Sequence, residues 1–258
     1  MERKPGSTVS MGSGQQDHGY DDIITKAESQ EKTMKLFIDD ADVNEIRRLT
    51  DLYPIDGVTT NPSILARTGR NPVEVLKEIR DILGDEKTIF AQAIPVKADG
   101  IIRDAHAIVK LLGENTIVKI PSIPEGFKAI RMLKAEGLHT CGTVVYTPLQ
   151  AYLAAKAGAD YVAPYVNRID NMGYDGTQVV CRIQDIFTMH NMDTEILAAS
   201  FKNSQQVLSL CEYGIGAATC APAVIDAFVK NMAINAAVDD FIRDFEKTAG
   251  KGKTMADL

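Results

Sequence analysis

A lysine in the middle of an apolar segment is the first residue of this sequence with clear chemical potential. Lys119 lies within Thr116-Ile-Val-Lys-Ile-Pro121, whose β-branched residues and flanking turn signals predict a buried strand. Loss of hydration lowers the pKa of a buried lysine, and a neutral amine is the nucleophile that forms a Schiff base with a ketone. The alternative is that Lys119 pairs with a carboxylate or extends its ammonium group to the rim of the sheet.

Other polar residues interrupt or end the remaining predicted strands. They are Asp39, Thr60, Asn61, Gln92, Thr143, Tyr165 and Ser200, with Arg168 and Lys202 following shortly after two strands. Any one of them has an ordinary explanation, since Asp39 could cap the next helix and Asn61-Pro62-Ser63 could form a turn. Their recurrence at strand ends instead predicts one shared site.

The residue types suggest what such a site could do. Lys119 would attack a ketone and form an iminium, which accepts electrons when a carbon–carbon bond breaks. Asp39 would handle protons beside it. The polar groups of Gln92, Thr143 and Tyr165 would hold the water that carbinolamine formation and hydrolysis require.

An anionic substrate is indicated by the cationic and hydroxyl groups of two later segments. Arg168 and Ser200 would bind a phosphate at the far end of the substrate. Lys202 would either add to that field or be solvated at the rim, and we favour the rim.

Strands and helices alternate along almost the whole chain. Strands are predicted at 35–39, 57–60, 88–94, 116–121, 140–146, 161–166, 195–200 and 216–220. Helices are predicted at 42–53, 72–83, 99–112, 124–136, 148–157, 177–190 and 204–213, from 222, and at 236–248. Eight such units predict an α/β fold, a single (β/α)₈ TIM barrel with an extra C-terminal helix. A doubly wound open sheet is less favoured, because no glycine-rich dinucleotide loop follows a strand. The extra helix would pack on a neighbouring subunit or on its own barrel.

Composition narrows the class of protein. The 258 residues carry a net charge of -7 without a long basic block, which argues against a nucleic-acid partner. No apolar segment is long enough to span a membrane, and no secretory signal is present. Four unevenly spaced cysteines and scattered histidines favour reduced thiols in a cytoplasmic protein and no metal. Residues 1–33 are expected to be a tag or disordered leader, and residues 34–258 the barrel domain.

Several segments together resemble the small transaldolase family, and most of all its fructose-6-phosphate aldolase subgroup. The likeness runs from Met34 to near the C-terminus. The segments are Phe37-Ile-Asp39, Gly57-Val-Thr-Thr-Asn-Pro-Ser63, Phe90-Ala-Gln92, Ile117-Val-Lys-Ile-Pro121, Gly142-Thr-Val-Val-Tyr146, Tyr161-Val-Ala-Pro-Tyr-Val-Asn-Arg168 and Ala198-Ala-Ser-Phe-Lys202.

This resemblance implies a role for each matching position. Lys119 would be the Schiff-base lysine and Asp39 the acidic proton-handling group. Asn61 would contact the substrate, and Arg168 and Ser200 its phosphate. The resemblance also implies no cofactor and a homodecamer of two stacked pentamers, in which the C-terminal helix reaches onto a neighbour.

Two positions separate the activities within the family. Transaldolases have a glutamate where Gln92 stands and typically a phenylalanine where Tyr165 stands, so this pair resembles the aldolase subgroup. The expected reaction is therefore cleavage and formation of fructose 6-phosphate from dihydroxyacetone and glyceraldehyde 3-phosphate. The alternatives are transfer of a dihydroxyacetone unit between sugar phosphates, as in a transaldolase, and an inactive barrel that binds sugar phosphates.

Overall fold

The computed structural model of the protein describes residues 33–258, so the predicted leader lies outside the described residues except for Thr33. Eight parallel strands form a closed barrel in which each strand pairs with the next and β8 pairs with β1. The strands are β1 (Lys35–Asp39), β2 (Gly57–Thr59), β3 (Thr88–Gln92), β4 (Thr116–Pro121), β5 (Thr140–Val145), β6 (Tyr161–Pro164), β7 (Glu195–Ala198) and β8 (Ala217–Cys220). The predicted TIM barrel is confirmed.

Helices follow the strands and cover the outside of the barrel. They are α1 (Val43–Leu52), α2 (Pro62–Arg67), α3 (Pro72–Leu83), α4 (Ala98–Leu112), α5 (Pro124–Ala135), α6 (Pro148–Lys156), α7 (Val166–Asp170), α8 (Gly176–Met189), α9 (Ser204–Tyr213), α10 (Pro222–Asp226) and α11 (Met232–Ala249), with a 3₁₀ turn at Met255–Asp257. The sequence interpretation missed two short helices, α2 and α7, which directly follow β2 and β6.

The barrel interior is built in layers, because inward-facing residues recur at every second position of a strand. An apolar middle layer fills the barrel with residues from seven strands: Phe37, Phe90, Ile117, Cys141, Ala163, Leu197 and Ala217. Within it the rings of Phe37 and Phe90 meet edge to face, with centroids 5.2 Å apart. Two residues further along each strand, the inward position reaches the carboxyl end of the barrel.

That upper inward layer is mostly polar. It contains Asp39, Gln92, Lys119, Thr143, Tyr165, Ala199 and Thr219, each two residues beyond a member of the apolar layer. The period-two pattern thus places the predicted site residues directly above the apolar layer. This is the end of a TIM barrel at which strand-following loops build a site.

A break in the strand pairing alters this pattern on β5. The β5–β6 register shifts between Gly142 and Val145, and Val144 has a left-handed φ of 60°. That backbone conformation is strained for a β-branched residue. The shift allows Tyr146 as well as Thr143 to face the barrel interior, since Tyr146 packs against the same interior cluster.

The C-terminal helix α11 stands apart from the core. None of its 18 residues is buried. Apolar side chains recur along one stripe at Ile234, Val238, Phe241 and Phe245, and Phe241 is 73% exposed. The expectation that this helix packs on its own barrel therefore has little support. Among residues 33–258, no helix has both the length and the apolar character that a bilayer span requires.

Candidate active site

A cavity of about 320 Å³ opens at the carboxyl end of the barrel. Six of the eight predicted site residues line it, namely Asp39, Asn61, Lys119, Tyr165, Arg168 and Ser200. Gln92 and Thr143 are not part of the lining but lie next to it, because each contacts or pairs with a residue that is. The sequence-based grouping of these eight side chains at one end of the barrel therefore agrees with their positions.

Lys119 is 2% exposed and extends from β4 into this cavity. Its Nζ donates a hydrogen bond to the carbonyl oxygen of Thr60, at 3.1 Å. No ion pair within residues 33–258 includes Lys119. The alternative, in which a carboxylate forms an ion pair with Lys119, is therefore not observed among the described residues.

Asp39 lies at the end of β1, where its carboxylate joins a short chain of hydroxyl groups. The hydroxyl of Thr59 donates to Oδ1 of Asp39 at 2.8 Å and lies 2.6 Å from the hydroxyl of Thr219. Burial raises the pKa of the Asp39 carboxyl, and the lowering effects of Lys119 and of the bond from Thr59 do not cancel this increase. Asp42, not Asp39, caps the following helix α1.

Gln92 and Thr143 lie on the two strands beside Lys119. Gln92 is the register partner of Lys119 in the β3–β4 pair. Thr143 is buried on β5, and its hydroxyl lies 3.0 Å from the hydroxyl of Tyr165. Tyr165 follows β6 and is itself nearly buried. A phenol and an alcohol are thus joined beside the lysine.

The cationic side of the cavity is formed by Arg168 and Ser200. Arg168 lies on α7, one turn beyond Tyr165, with its guanidinium 4.5 Å from the centroid of the Tyr165 ring. A hydrogen bond between Arg168 and the hydroxyl of Tyr146 raises the pKa of the guanidinium. Ser200 follows β7 with a left-handed φ of 62°. Lys202 is exposed and does not belong to the lining.

Asn61 has two roles available because its side chain carries two polar groups. Its Oδ1 accepts a hydrogen bond from the backbone N–H of Ile64 at 3.0 Å and so caps α2. The segment Asn61-Pro62-Ser63 is therefore a helix start and not a simple turn. The side-chain NH₂ of Asn61 remains a donor on the cavity wall.

Several residues of the site escaped the sequence interpretation. Ser63 and Arg67 line the cavity from α2, and Tyr146 supports Arg168. A helix predicted after Asn61 would have placed Ser63 and Arg67 on the same face, since they are four residues apart. Tyr146 could not have been found by alternation, because the register shift in β5 moves it inward.

The cavity combines a buried amine, a carboxyl with a raised pKa, cations and the Tyr165 hydroxyl, and the Thr143 hydroxyl lies next to its lining. These are the groups needed to form and hydrolyse an imine on an anionic carbonyl compound. Among the described residues, no three His, Cys, Asp or Glu side chains are grouped so that they could hold a metal ion.

Comparison with known sequences identifies relatives along most of the chain. The chain is 42% identical over 214 residues to a probable transaldolase of Geotalea daltonii, covering 83% of this chain and 99% of that protein. It is 39% identical over 218 residues to a probable transaldolase of Clostridium perfringens, covering 84% and 100%. For a probable transaldolase of Thermodesulfovibrio yellowstonii the identity is 40% over 214 residues, covering 83% and 99%.

Solved structures share the fold at low sequence identity. A structure described as native KDPGal matches with a TM-score of 0.52 and 17% identity, covering 80% of this chain and 96% of that one. A designed cube-shaped, highly porous protein cage matches with a TM-score of 0.54 and 15% identity, covering 84% and 78%. At these identities the similarity establishes only the barrel.

The sequence model of the Transaldolase/Fructose-6-phosphate aldolase family matches residues 36–257. Together with the full-length relatives, this match establishes that the chain belongs to the transaldolase and fructose-6-phosphate aldolase family of enzymes.

Proposed function

We propose that this protein is a class I aldolase that cleaves fructose 6-phosphate to dihydroxyacetone and glyceraldehyde 3-phosphate and forms it in the reverse direction. The observation that carries the proposal is the environment of the Lys119 amine. Its amine is buried at the wall of a cavity that also contains Arg168 and Ser200, and no carboxylate within residues 33–258 holds it in an ion pair. An amine in that position is available to bond with a carbonyl carbon.

The proposed reaction begins when the Lys119 amine adds to the C2 ketone. The carbinolamine loses water to form an iminium. Asp39 removes the proton of the C4 hydroxyl, the C3–C4 bond breaks, and its electron pair moves into the iminium to give an enamine. C4 leaves as the aldehyde of glyceraldehyde 3-phosphate. Protonation of the enamine at C3 restores the iminium, and water releases dihydroxyacetone and the free amine.

Asp39 suits the proton-handling role because burial raises the pKa of its carboxyl. A raised pKa makes the carboxylate a stronger base, which suits it to take a proton from a substrate hydroxyl. Thr59 fixes the orientation of the carboxyl through the 2.8 Å hydrogen bond. We assign Tyr165, with Thr143 at 3.0 Å, to proton transfer at the carbinolamine, and Gln92 to orienting the water or a substrate hydroxyl.

The phosphate of the substrate is assigned to Arg168 and Ser200, with the NH₂ group of Asn61 contacting the opposite part of the sugar. An arginine pre-oriented by stacking and by Tyr146 loses less side-chain entropy when it binds an oxyanion. We expect Arg168→Ala to raise KM for fructose 6-phosphate by about 10- to 100-fold while sparing unphosphorylated ketoses. An equal loss for both substrates would mean that the phosphate is bound elsewhere.

Transaldolase activity is the second candidate, because the curated relatives named above are described as probable transaldolases. The two activities share every step up to the enamine and differ in whether water or a second aldose receives the three-carbon unit. Incubation with fructose 6-phosphate alone separates them. The aldolase releases free dihydroxyacetone and glyceraldehyde 3-phosphate, whereas turnover that requires added erythrose 4-phosphate would establish the transaldolase.

A sugar-phosphate-binding barrel without catalysis is distinguished by borohydride trapping. Borohydride reduces an iminium to a stable secondary amine, so a peptide containing Lys119 would gain the mass of the donor less one oxygen atom. The family membership of the chain favours the enzyme. Fructose 6-phosphate that binds without any such adduct would favour the binding protein.

We also propose a cytoplasmic homo-oligomer, as the homodecamer of two pentamers that the resemblance implies. The apolar stripe of α11, with Phe241 73% exposed and no buried residue in the helix, supports packing against another copy. The four free cysteines fit a reducing compartment. Sedimentation of the protein and of Phe241→Asp tests the assembly, since a monomer in both would contradict it.

A further inference from the structure

One residue of the polar upper layer has no role in the reaction described above. Thr219 lies on β8, is 1% exposed and is not part of the cavity lining. Among residues 33–258, the only hydrogen bond of its hydroxyl is to the hydroxyl of Thr59, at 2.6 Å. A contribution of Thr219 to the site must therefore pass through Thr59.

The strands place the two threonines on either side of β1, which carries Asp39. Both β2 and β8 pair with β1. Thr59 is the register partner of Asp39, and Thr219 is the register partner of Phe37, two residues earlier in β1. The stagger of strands in a closed barrel brings the two hydroxyls together despite this offset. The result is a chain of three polar side chains across the first, second and last strands.

The hydrogen bonds of this chain run in one direction while Asp39 is ionised. A carboxylate oxygen only accepts, so the hydroxyl of Thr59 donates its single proton to Oδ1 of Asp39, at 2.8 Å. The oxygen of Thr59 then accepts the proton of the Thr219 hydroxyl. Successive hydrogen bonds that point the same way polarise one another, so Thr219 strengthens the bond from Thr59 to the carboxylate.

A proton on Oδ1 of Asp39 would reverse this order. Oδ1 would donate to Thr59, Thr59 would donate to Thr219, and the proton of the Thr219 hydroxyl would have no acceptor among the described residues. A buried donor without an acceptor is unfavourable. Oδ2 of Asp39 has no hydrogen-bond partner within residues 33–258, so it is the oxygen available to take a proton at the cavity.

Charged and titratable groups on five elements act on the same carboxyl, namely Asp40, Arg67, Lys119, Arg168 and Cys220. Burial has the largest effect and raises the pKa of Asp39, whereas Lys119 lowers it. Burial, and then the charge of Asp39, raise the pKa of the Cys220 thiol, which keeps the thiol neutral. The hydroxyl chain differs from these groups because it acts on one oxygen, Oδ1.

We infer that Thr219 is a positioning residue for the proposed aldol reaction, which holds the hydroxyl of Thr59 on Oδ1 of Asp39 and so leaves Oδ2 to exchange the substrate proton. This inference rests on the proposed role of Asp39 in carbon–carbon cleavage. Oδ2 gains the proton of the C4 hydroxyl as the C3–C4 bond breaks, and both threonine hydroxyls keep their own protons.

The experiment compares Thr219→Val with Thr219→Ser in the full-length protein. Valine resembles threonine in shape but cannot donate, whereas serine keeps the hydroxyl. We expect Thr219→Val to lower kcat for fructose 6-phosphate cleavage by about tenfold, which is part of the roughly 10²- to 10⁴-fold that a general base contributes. KM should change little, and Thr219→Ser should recover most of the rate. Should Thr219→Val fold poorly, Thr219→Cys gives the same comparison with a weak donor.

The pH dependence of kcat gives a readout that a structural role would not move. Lys119 is already bonded to the substrate in the complex that kcat reports, so the acid limb of kcat belongs to Asp39. Loss of the hydroxyl chain weakens the hydrogen bonding of the ionised carboxyl, and its pKa should rise. The acid limb should therefore move to higher pH in Thr219→Val. A lower unfolding temperature with an unchanged limb and kcat would overturn the inference.

A second buried threonine controls for the loss of a hydroxyl. Thr116, at the start of β4, is as buried as Thr219, and its hydroxyl has no hydrogen-bond partner in the part of the chain that the structure describes. Thr116→Val should leave both kcat and its acid limb unchanged. Equal losses in Thr116→Val and Thr219→Val would contradict the inference, since any buried hydroxyl would then have the same effect.

Borohydride trapping distinguishes this inference from the proposed function. Dihydroxyacetone bonds to Lys119 without breaking a carbon–carbon bond, so Thr219→Val should give as much adduct as the wild type. Loss of the adduct together with cleavage in this variant would refute the inference, because an earlier step would be affected. Wild-type trapping and cleavage with a fully active Thr219→Val would refute only the positioning role. A wild type that neither forms the adduct nor cleaves the substrate would refute the proposed function as well.

Discussion

Two lysines occupy inward positions at opposite ends of the same barrel, and their surroundings differ. Lys35, at the amino end of β1, pairs with Glu195 at 3.0 Å and donates a hydrogen bond to the hydroxyl of Tyr161 at 2.9 Å. Lys119, near the carboxyl end of β4, donates to a backbone carbonyl and has no ion-pair partner in the part of the chain that the structure describes. One end of the barrel is closed by a satisfied ion pair, and the other holds an amine beside a cavity.

The pKa of Lys35 shows what pairing does to such a group. Burial lowers its pKa, but the hydrogen bonds to Tyr161 and Glu195 outweigh burial and raise the pKa above its ordinary value. A lysine held in this way stays protonated and cannot act as a nucleophile. The comparison teaches that burial alone does not make a reactive lysine, and that the absence of a carboxylate partner is the informative feature.

The largest expected effect comes from removing the amine itself. Lys119→Ala should abolish the borohydride adduct and lower fructose 6-phosphate cleavage on the order of 10⁴-fold, because the covalent route is lost. The apolar layer beneath Lys119 is unchanged in this variant, so thermal unfolding should remain cooperative. An adduct that persists in this variant would transfer the chemistry to another lysine.

The next largest effect distinguishes two tyrosines that lie at opposite ends of the barrel, as the two lysines do. Tyr165→Phe should lower the cleavage rate by about 10²- to 10³-fold while changing donor binding little, because a proton-transfer group is lost. Tyr161→Phe, at the opposite end of the barrel, loses the bond to Lys35 and should leave the cleavage rate as it was. A normal rate for Tyr165→Phe would remove the phenol from the mechanism.

Asp39→Asn should trade activity for stability. Because the pKa of the Asp39 carboxyl is raised in the folded state, its contribution to stability is fully present below the ordinary value of 3.8 and is lost as the pH rises through the folded value. The variant should therefore be more stable than the wild type at pH 7, by about 1 kcal/mol, and lose activity. Denaturant unfolding as a function of pH measures this, and a gain that persists in acid would contradict the explanation.

The smallest effect concerns the paired lysine. Lys35→Met should lower the free energy of unfolding by about 1 kcal/mol at pH 7, since the Lys35 side chain is 42% exposed and partly screened by solvent. The raised pKa makes this stabilisation fully present below the ordinary value of 10.5 and lost as the pH rises through the folded value. The adduct on Lys119 should be unaffected, and a loss of trapping would show that the two ends are coupled.

The sequence predicted the fold and the polar layer for the same physical reason. Inward residues recur with a period of two, so an apolar Phe37, Phe90 or Ile117 is followed two positions later by Asp39, Gln92 or Lys119. That pattern is local and readable. The strand bounds of β1 and β4 were correct, whereas β3 and β7 end two residues earlier than predicted.

What could not be predicted depends on backbone geometry that no local pattern encodes. Tyr146 packs against the barrel interior because the β5 register shifts near Val144, which adopts an unfavourable φ for its residue type. Arg67 lines the cavity because Pro62–Arg67 form a helix that the sequence interpretation did not predict. Whether each lysine has an ion-pair partner depends on the tertiary structure, since Glu195 lies 160 residues from Lys35 in the sequence.

The apolar layer that includes the edge-to-face rings of Phe37 and Phe90 fills the barrel beneath the cavity, so the route to Lys119 runs through the carboxyl end. Whatever reaches Lys119 must leave by the way it came. The fragment bonded to Lys119 at the bottom of the cavity can then leave only after the outer fragment has diffused away. Such a dead-end geometry favours an ordered release of the two products, in which the fragment closest to the opening is the first to depart.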